Sequence, residues 1–430
     1  MVLTWRPLAL LLLTLPLVVW LRTGWAPLVT VGATAAVVVA DLLLAPSARR
    51  LQVRRSGDTS VRLGEQAQVH VTVAHPGRRT ARCRVRDAWV PSAAARGGVG
   101  TMVLPPGQRR RHTTTLHPTR RGDRRSGPVT VRVLGPLGFA GRQADHPAPW
   151  TVRVLPPFTS RKHLPSRLNR LRELEGRTLL LQRGEGTEFD SLREYVPGDD
   201  VRSIDWRGTA RSTTVVVRTW RPERDRHVLV VVDSGRASAG RVGDQPRLDL
   251  AMDAALLLAA LASRAGDRVD LLVADRQVRA SVQRVGAPEL LSAMVQAMAP
   301  VEPFLVETHH RSLVGEITSR VGQRSLVVVL TALDEAAVTE GLLPALAPLL
   351  RRHRLVVGAV ADPRVEELLT RRDSPADAYA AAAAEVDGER RARTARALQQ
   401  AGLTVVQAPP ERFAPDLADH YLALRQAGRV

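Results

Sequence analysis

Three carboxylates, Asp199, Asp200 and Asp205, fall within seven positions, with Arg193, Arg202, Arg207 and Arg211 around them. Clustered carboxylates can do acid–base work or hold a metal ion. The surrounding arginines argue instead for ion pairing, in which a guanidinium fork meets a carboxylate. No Cys or His lies in this stretch to act as nucleophile or proton shuttle. A structural or docking role therefore stands ahead of catalysis. Pro197-Gly198 would supply a turn, and Tyr195 and Trp206 would pack as anchors with their polar tips exposed. Upstream, Gly184 and Gly186 are not followed by the Gly-Lys-Ser/Thr of a phosphate loop, which excludes that mode of nucleotide binding.

Two further acids, Asp233 and Asp334, each follow an apolar run that reads as a buried parallel strand, Val228–Val232 and Leu326–Thr331. Ligands of open α/β sheets sit beyond the carboxyl ends of the strands, where both aspartates would lie. His309 and His310 are adjacent and do not share a helix face, so a helix start suits them better than a metal pair. The single cysteine, Cys83, leaves no internal disulfide and no zinc spacing.

These residues must be positioned by a 430-residue chain of net charge +20, in which Lys162 is the one lysine. Such a balance suits an anionic partner. The chain opens with two apolar runs, Pro7–Leu21 and Trp25–Ala45, joined by Arg22-Thr23-Gly24. About 20 apolar residues span a bilayer. The alternative, a cleaved signal peptide, does not account for the second run. The pattern predicts a transmembrane helical hairpin in residues 1–48, with helices over about 5–21 and 25–45. Trp5, Trp20 and Trp25 lie at run ends, as interfacial indoles do. Arg49, Arg50, Arg54 and Arg55 then place both termini and the soluble domains in the cytoplasm of a multi-pass membrane protein.

Residues 49–160 alternate apolar and polar, as in Val69–Val73, Arg82–Arg86, Val129–Val133 and Thr151–Val154, with turn signals between, including Arg121-Gly-Asp123. This predicts a small β-sandwich-like domain. Its many arginines read as a solvated face or as contact with anionic lipid head groups. The lack of aromatic interleaving speaks against nucleic acid. Residues 161–225 read as a linker carrying the acidic cluster, and 226–430 as a doubly wound α/β domain. Its expected elements include a long helix over 248–265, a helix over 342–353, an Ala-rich helix over 376–401 and a closing helix over 416–425.

The run Leu192-Arg-Glu-Tyr-Val-Pro-Gly-Asp-Asp-Val-Arg-Ser-Ile-Asp-Trp206, with Ala210-Arg211, resembles the signature of the bacterial family catalogued as domain of unknown function 58. Arg120-Arg-Gly122, Gly135-Pro-Leu-Gly138 and the overall layout agree with it. The resemblance implies a membrane protein with a von Willebrand factor A-like α/β domain. It also implies a MoxR-type AAA+ ATPase as partner, a role in complex assembly or regulation, and no established enzymatic activity. The signature residues offered to a partner are Arg193, Glu194, Tyr195, Gly198, Asp199, Asp200, Arg202, Asp205, Trp206 and Arg211.

Von Willebrand-type domains often hold Mg²⁺ through Asp-x-Ser-x-Ser, a Thr and a distal Asp. Here the two serine positions are Gly235 and Ala237, so the site reads as degenerate, with Asp233, Asp334 and a hydroxyl from Thr308 or Thr331 remaining. The expectation is that no metal is required and that Arg236 stands in for the cation between Asp233 and Asp334. Mg²⁺ is the ion to test. The overall reading is a membrane-anchored scaffold or adaptor, not an enzyme. A metal-dependent enzyme using Asp199, Asp200, Asp233 and Asp334, and a basic binder of lipid or nucleic acid, are the alternatives.

Overall fold

The computed structural model describes residues 1–181, 188–221, 226–322, 324–371 and 373–428. The chain divides into two units, Met1–Leu155 and Pro156–Val430.

In the first unit both apolar runs are helical, α1 (Arg6–Leu21) and α2 (Ala26–Leu44). Each has a proline in its first turn, where a missing N–H is no loss. Arg22, at φ 46°, ends α1. The helices lie against each other and leave Leu8, Leu12, Leu13 and Leu28 exposed. Among the described residues, one helix, that of α2, is long and apolar enough to cross a membrane; α1, with 16 residues, is shorter.

Behind the helices lie two sheets. One contains β1 (Gln52–Gly57), β2 (Ala67–Ala74) and β5 (Arg109–Leu116); the other contains β3 (Ala81–Trp89), β4 (Val99–Leu104), β6 (Gly122–Leu134), β7 (Ala140–His146) and β8 (Thr151–Leu155). Alternation puts Val71 and Val73 of β2 into one core with Cys83 and Val85 of β3 and Val129, Val131 and Val133 of β6. Arg121-Gly-Asp123, expected as a turn, instead opens β6: Gly122 to Arg125 pair with β8, and Val129 to Leu134 pair with β7. Gly127-Pro128 lies where one set of partners gives way to the other. A fully buried ion pair, Arg55–Asp87 at 2.5 Å, joins β1 of one sheet to β3 of the other.

Asp41, the charge near the end of α2, is wholly buried. Its carboxylate accepts the N–H groups of Leu137 (2.8 Å), Phe139 (2.7 Å) and Ala140 (2.9 Å). These bonds hold the Gly135-Pro-Leu-Gly138 turn between β6 and β7. A Cβ on Gly135 would lie 2.3 Å from the Asp41 carboxylate, and one on Gly138 2.5 Å from the Arg6 guanidinium. Arg6 donates to the Leu137 carbonyl at 2.6 Å. The first residues, Val2–Leu3, pair with Ala140 and Gly141 of β7. Both outer ends of the helix pair are therefore tied to one β-turn.

The second unit opens with α3 (Leu164–Leu181), part of the region read as a linker. It lies against the unit's later helices α4 (Arg247–Arg264) and α8 (Pro410–Gln426), through Leu171 and an Arg167–Asp419 pair at 2.8 Å. A hairpin follows, β9 (Glu188–Glu194) and β10 (Val216–Arg221), and then a six-stranded sheet. Its strands are β11 (His227–Asp233), β12 (Arg268–Ala274), β13 (Val278–Val282), β14 (Ser325–Leu330), β15 (Arg354–Val360) and β16 (Thr404–Ala408), in the order β13-β12-β11-β14-β15-β16. All pair in parallel except β13. Every residue of β11 is buried, as a central strand covered on both faces requires. Helices α4 and α7 (Pro375–Gln400) contribute to the cover. The helix expected over 342–353 is instead one α turn (Leu343–Leu346) and a 3₁₀ turn (Leu349–Arg351), following a π turn that ends at Leu342, because Pro344 and Pro348 remove backbone donors. The closing helix α8 starts at Pro410, six residues before the expected start.

Replacing Asp41 by Ala strands three backbone donors in a buried place. It should lower the stability of the first unit by on the order of 3 kcal/mol. Thermal unfolding in detergent, with the exposed Asp145→Ala as control, measures this; equal midpoints would remove the clasp.

Candidate functional site

Two places carry the residues singled out in the sequence. The first is the β9–β10 hairpin. Between its strands Pro197-Gly198 makes the turn: Asp199 N–H donates to the Val196 carbonyl at 3.0 Å, and Gly198 has φ +112°. Each of the three carboxylates serves the backbone. Asp199 accepts a two-pronged bond from Arg193 (2.6 and 2.8 Å) and the Val196 N–H. Asp200 caps the 3₁₀ turn Val201–Ser203 through the Arg202 N–H. Asp205 caps the short helix Trp206–Thr209 through the N–H groups of Arg207 and Gly208, and pairs with Arg218 at 2.8 Å.

The pairing differs from the expected network in one respect. Of the four arginines counted against the acids, Arg193 alone is paired with one among the described residues; the cation on Asp205 is Arg218, from β10. Arg202, Arg207 and Arg211 are exposed and have no acidic partner among the described residues. Trp206 is likewise not a packed anchor: it is 69% exposed, while Tyr195 is half-buried. The short helix turns Gly208 towards the strands, where a Cβ would meet Val216 and Leu192, and so carries Trp206 to the outer side. Glu194 accepts the Thr214 hydroxyl at 3.1 Å. Val196 and Val201 are also exposed. Gly184 and Gly186, weighed as a phosphate loop, lie outside the described residues.

The second place is the carboxyl edge of the six-stranded sheet, where β11 and β14 diverge. Asp233 ends β11 and is 3% exposed. One carboxylate oxygen accepts the Gly235 N–H (2.8 Å) and the Thr308 hydroxyl (2.6 Å); the other accepts the Thr331 hydroxyl (2.6 Å). The sequence left Thr308 and Thr331 as alternatives, and the fold brings both. Thr308 arrives on the loop after α5 (Ala287–Met298), which pairs by backbone with the loop after β11: Phe304 N–H to Ser234 carbonyl, and Arg236 N–H to Val306 carbonyl. A Cβ at Gly235 would lie 2.2 Å from the Thr308 hydroxyl oxygen. The hydroxyl expected from position 235 is thus replaced by Thr308 occupying that space.

Arg236 does not stand in for a cation. It is 70% exposed and reaches Glu307 at 3.3 Å. Asp233 is already satisfied by neutral donors, so its carboxylate offers the guanidinium nothing unpaired. Asp334 is exposed and accepts the Ala337 N–H. Ala237 contributes no ligand atom. Ser234 and Ser238 are engaged elsewhere, on Asp275 (3.3 Å) and on the Asp233 carbonyl (2.6 Å). Asp275, missed in the sequence reading, is buried beneath this edge. Burial alone would push its carboxyl up, but Arg279 at 2.7 Å and the Gln277 N–H hold it below the usual range. Arg279 in turn stacks on Phe304 at 3.8 Å. His309 caps α6 (His310–Arg320), accepting the Ser312 N–H, while burial lowers the His310 imidazole against the opposing pull of Asp233. One buried carboxylate and two hydroxyls make a poor set for Mg²⁺, which takes one or two carboxylates with further oxygens in octahedral array. Among the described residues no group of three or more His, Cys, Asp or Glu side chains converges.

Residues 191–401 match the family described as protein of unknown function DUF58. Most of the hairpin and most of the sheet lie inside that match. Uncharacterised proteins of Mycobacterium tuberculosis and Mycobacterium bovis are 29% identical over 197 residues, spanning 45% of this chain and 61% of each relative. Among solved structures, the chain is similar to a CARDB domain from Pyrococcus furiosus (20% identity, TM-score 0.18, covering 26% of this chain and 90% of that one). A FixG-related protein from Vibrio parahaemolyticus is similar too (7% identity, TM-score 0.18, 24% and 96%). Likeness at that level carries no functional weight.

Two outcomes follow. Gly235→Ser should destabilise the second unit by about 1–3 kcal/mol, as overpacking does. Added Mg²⁺ should not restore it, whereas Thr308→Ala in the same chain should recover part of the loss; unfolding midpoints with and without Mg²⁺ decide. In the hairpin, Asp199 is held below the ordinary carboxylate range by Arg193 and the Val196 N–H, and Asp205 by Arg218 and the Gly208 N–H. A depressed folded value stabilises above the unfolded value of about 3.9 and is lost as pH falls through the folded value. Amide NMR signals of Val196 and Gly208 should therefore shift below about pH 4, and hold steady if these bonds do not order the hairpin.

Proposed function

We propose that the chain is a membrane-anchored, cytoplasm-facing adaptor without catalysis of its own, whose signature hairpin docks a protein partner. The observation that carries this reading is Trp206, 69% exposed, on a hairpin that also presents Val196, Val201 and Arg202, Arg207 and Arg211, which have no acidic partner among the described residues. Trp and Arg are the residue types that dominate binding energy at interfaces. Here the hairpin's own acids fix its shape and leave these side chains outward. The family resemblance implies a MoxR-type AAA+ ATPase as the partner, and three exposed guanidinium groups favour an acidic face on it.

The anchor reading rests on α1 and α2 as a hairpin. Their exposed leucines need an apolar surrounding, and Trp5, Trp20 and Trp25 sit at helix ends with exposed indoles. Asp41 and the Val2–Leu3 strand tie both outer helix ends to one β-turn, which supports placing the β-sandwich and the N-terminus on the same side. The arginines after α2 then favour the cytoplasm. Exposed Arg109, Arg110 and Arg111 on β5 support contact with anionic head groups, worth about 1 kcal/mol each near the surface. In the second unit, the strand order and the single antiparallel strand support likeness to a von Willebrand factor A-like domain.

The test is direct binding of the detergent-solubilised chain to a purified MoxR-type ATPase. Trp206→Ala should weaken it by about thirtyfold, the size of a 2 kcal/mol hot spot. Arg202→Glu with Arg207→Glu should weaken it further and reduce its salt dependence. Wild-type binding that survives all three changes, or no binding at all, would reject the hairpin as the docking site for this partner.

A further inference from the structure

Beside the Asp233 centre, a cavity of about 590 Å³ opens at the carboxyl ends of β14 and β15. The first turn of α4 and the middle of α7 close its sides. Carboxyl ends of parallel strands are where such sheets receive ligands, and the volume lies in the range of small-ligand sites. The side chain that sets its chemistry is Arg247. It opens α4 and passes within van der Waals distance of Gly240, where a Cβ would sit 3.8 Å from its Nε. That Nε is buried without a hydrogen-bond partner. No acidic side chain pairs with Arg247 among the described residues. Its neighbour Arg391 is already taken by Asp387 at 2.6 Å. Burial, then Arg391, lowers the Arg247 pKa, with Asp362 and Asp387 pulling the other way. Arg390, also in the lining, is exposed and has no acidic partner among the described residues.

An unpaired arginine in a partly desolvated wall is costly to keep. A hydrophobic residue of similar volume would serve packing as well. What the guanidinium offers is a planar fork for an oxyanion. Asp334, Glu335 and Glu340 stand in the same lining, beside the Arg391–Asp387 pair. Their charges oppose a doubly charged phosphate more than a singly charged carboxylate.

We propose that this cavity binds a carboxylate, received by Arg247 from inside and Arg390 from the mouth, without a metal ion. The carboxylate comes either from a free small acid or from an Asp or Glu side chain of a bound polypeptide. The site is separate from the hairpin and does not depend on the docking reading.

Three probes are titrated into the full chain in detergent, followed by calorimetry with EDTA present: sodium acetate, a capped hexapeptide with one central Asp, and inorganic phosphate. A carboxylate-bearing probe should bind, and phosphate should bind at least tenfold more weakly. Saturation by acetate points to the free acid, and by the peptide alone to a polypeptide. Arg247→Gln should weaken the favoured probe by tenfold or more, and Arg390→Gln by less. Arg247→Met should lose the binding while leaving the unfolding midpoint unchanged or higher. The inference is overturned if neither carboxylate binds, if phosphate binds best, or if Arg247→Gln binds as wild type. A midpoint several degrees lower in Arg247→Met would also overturn it, since Arg247 would then serve the fold.

Discussion

A buried carboxylate must be given hydrogen bonds, and Asp233 receives its three from separate stretches of the second unit. Gly235 belongs to its own loop, Thr308 to the loop after α5, and Thr331 to the end of β14. Hydrogen bonds to a charged acceptor are worth more than neutral ones, so this centre fixes where three loops meet at the mouth of the sheet. Gly235 is glycine because the Thr308 hydroxyl fills the space beside it. With that hydroxyl in place, the carboxylate is satisfied by neutral donors. The neighbouring Arg236 goes to solvent, and the cavity beside the centre is left to Arg247.

The same rule recurs in the first unit. Asp41 lies in a sequence that reads as membrane helix, where a carboxylate would be expensive. It is instead turned into the β-sandwich, onto three backbone N–H groups of one turn. Gly135 and Gly138 are the residues that let the Asp41 carboxylate and the Arg6 guanidinium approach so closely. In the hairpin, Asp199, Asp200 and Asp205 are again spent on backbone donors and nearby guanidinium groups. Acids that look like a reactive cluster in sequence are thus local fasteners. Around them Trp206, Val196, Val201, Arg202, Arg207 and Arg211 face solvent.

Much of the architecture was legible because its signals are local. Alternation marked the strands around Val69, Val85 and Val131, and continuous apolar runs marked β11 and β14. Pro197-Gly198 marked its turn. The misreadings were also physical. Arg121-Gly-Asp123 has turn composition, but pairing with β8 draws Gly122 into a strand. Pro344 and Pro348 broke a helix that apolar content alone predicted. Trp206 was expected to pack as an anchor with only its polar tip exposed, yet the turn of a four-residue helix sets its direction. Charge counting around the hairpin missed Arg218, which reaches Asp205 from β10, thirteen positions away.

By itself, then, the sequence marked most of the strands and helices, several of the turns with glycine and proline, and the run that resembles the DUF58 signature. Those properties depend on periodicity and backbone preference within a few residues. Only the tertiary structure decided what each charge does. The long-range partners of Asp41 and Asp233 lie 75 to 99 positions away in the chain, and Arg247 meets no acidic partner among the described residues. Whether a carboxylate is a fastener or a reactive group, and whether an arginine is paired or waiting, depends on what long-range packing brings within about 3 Å of it.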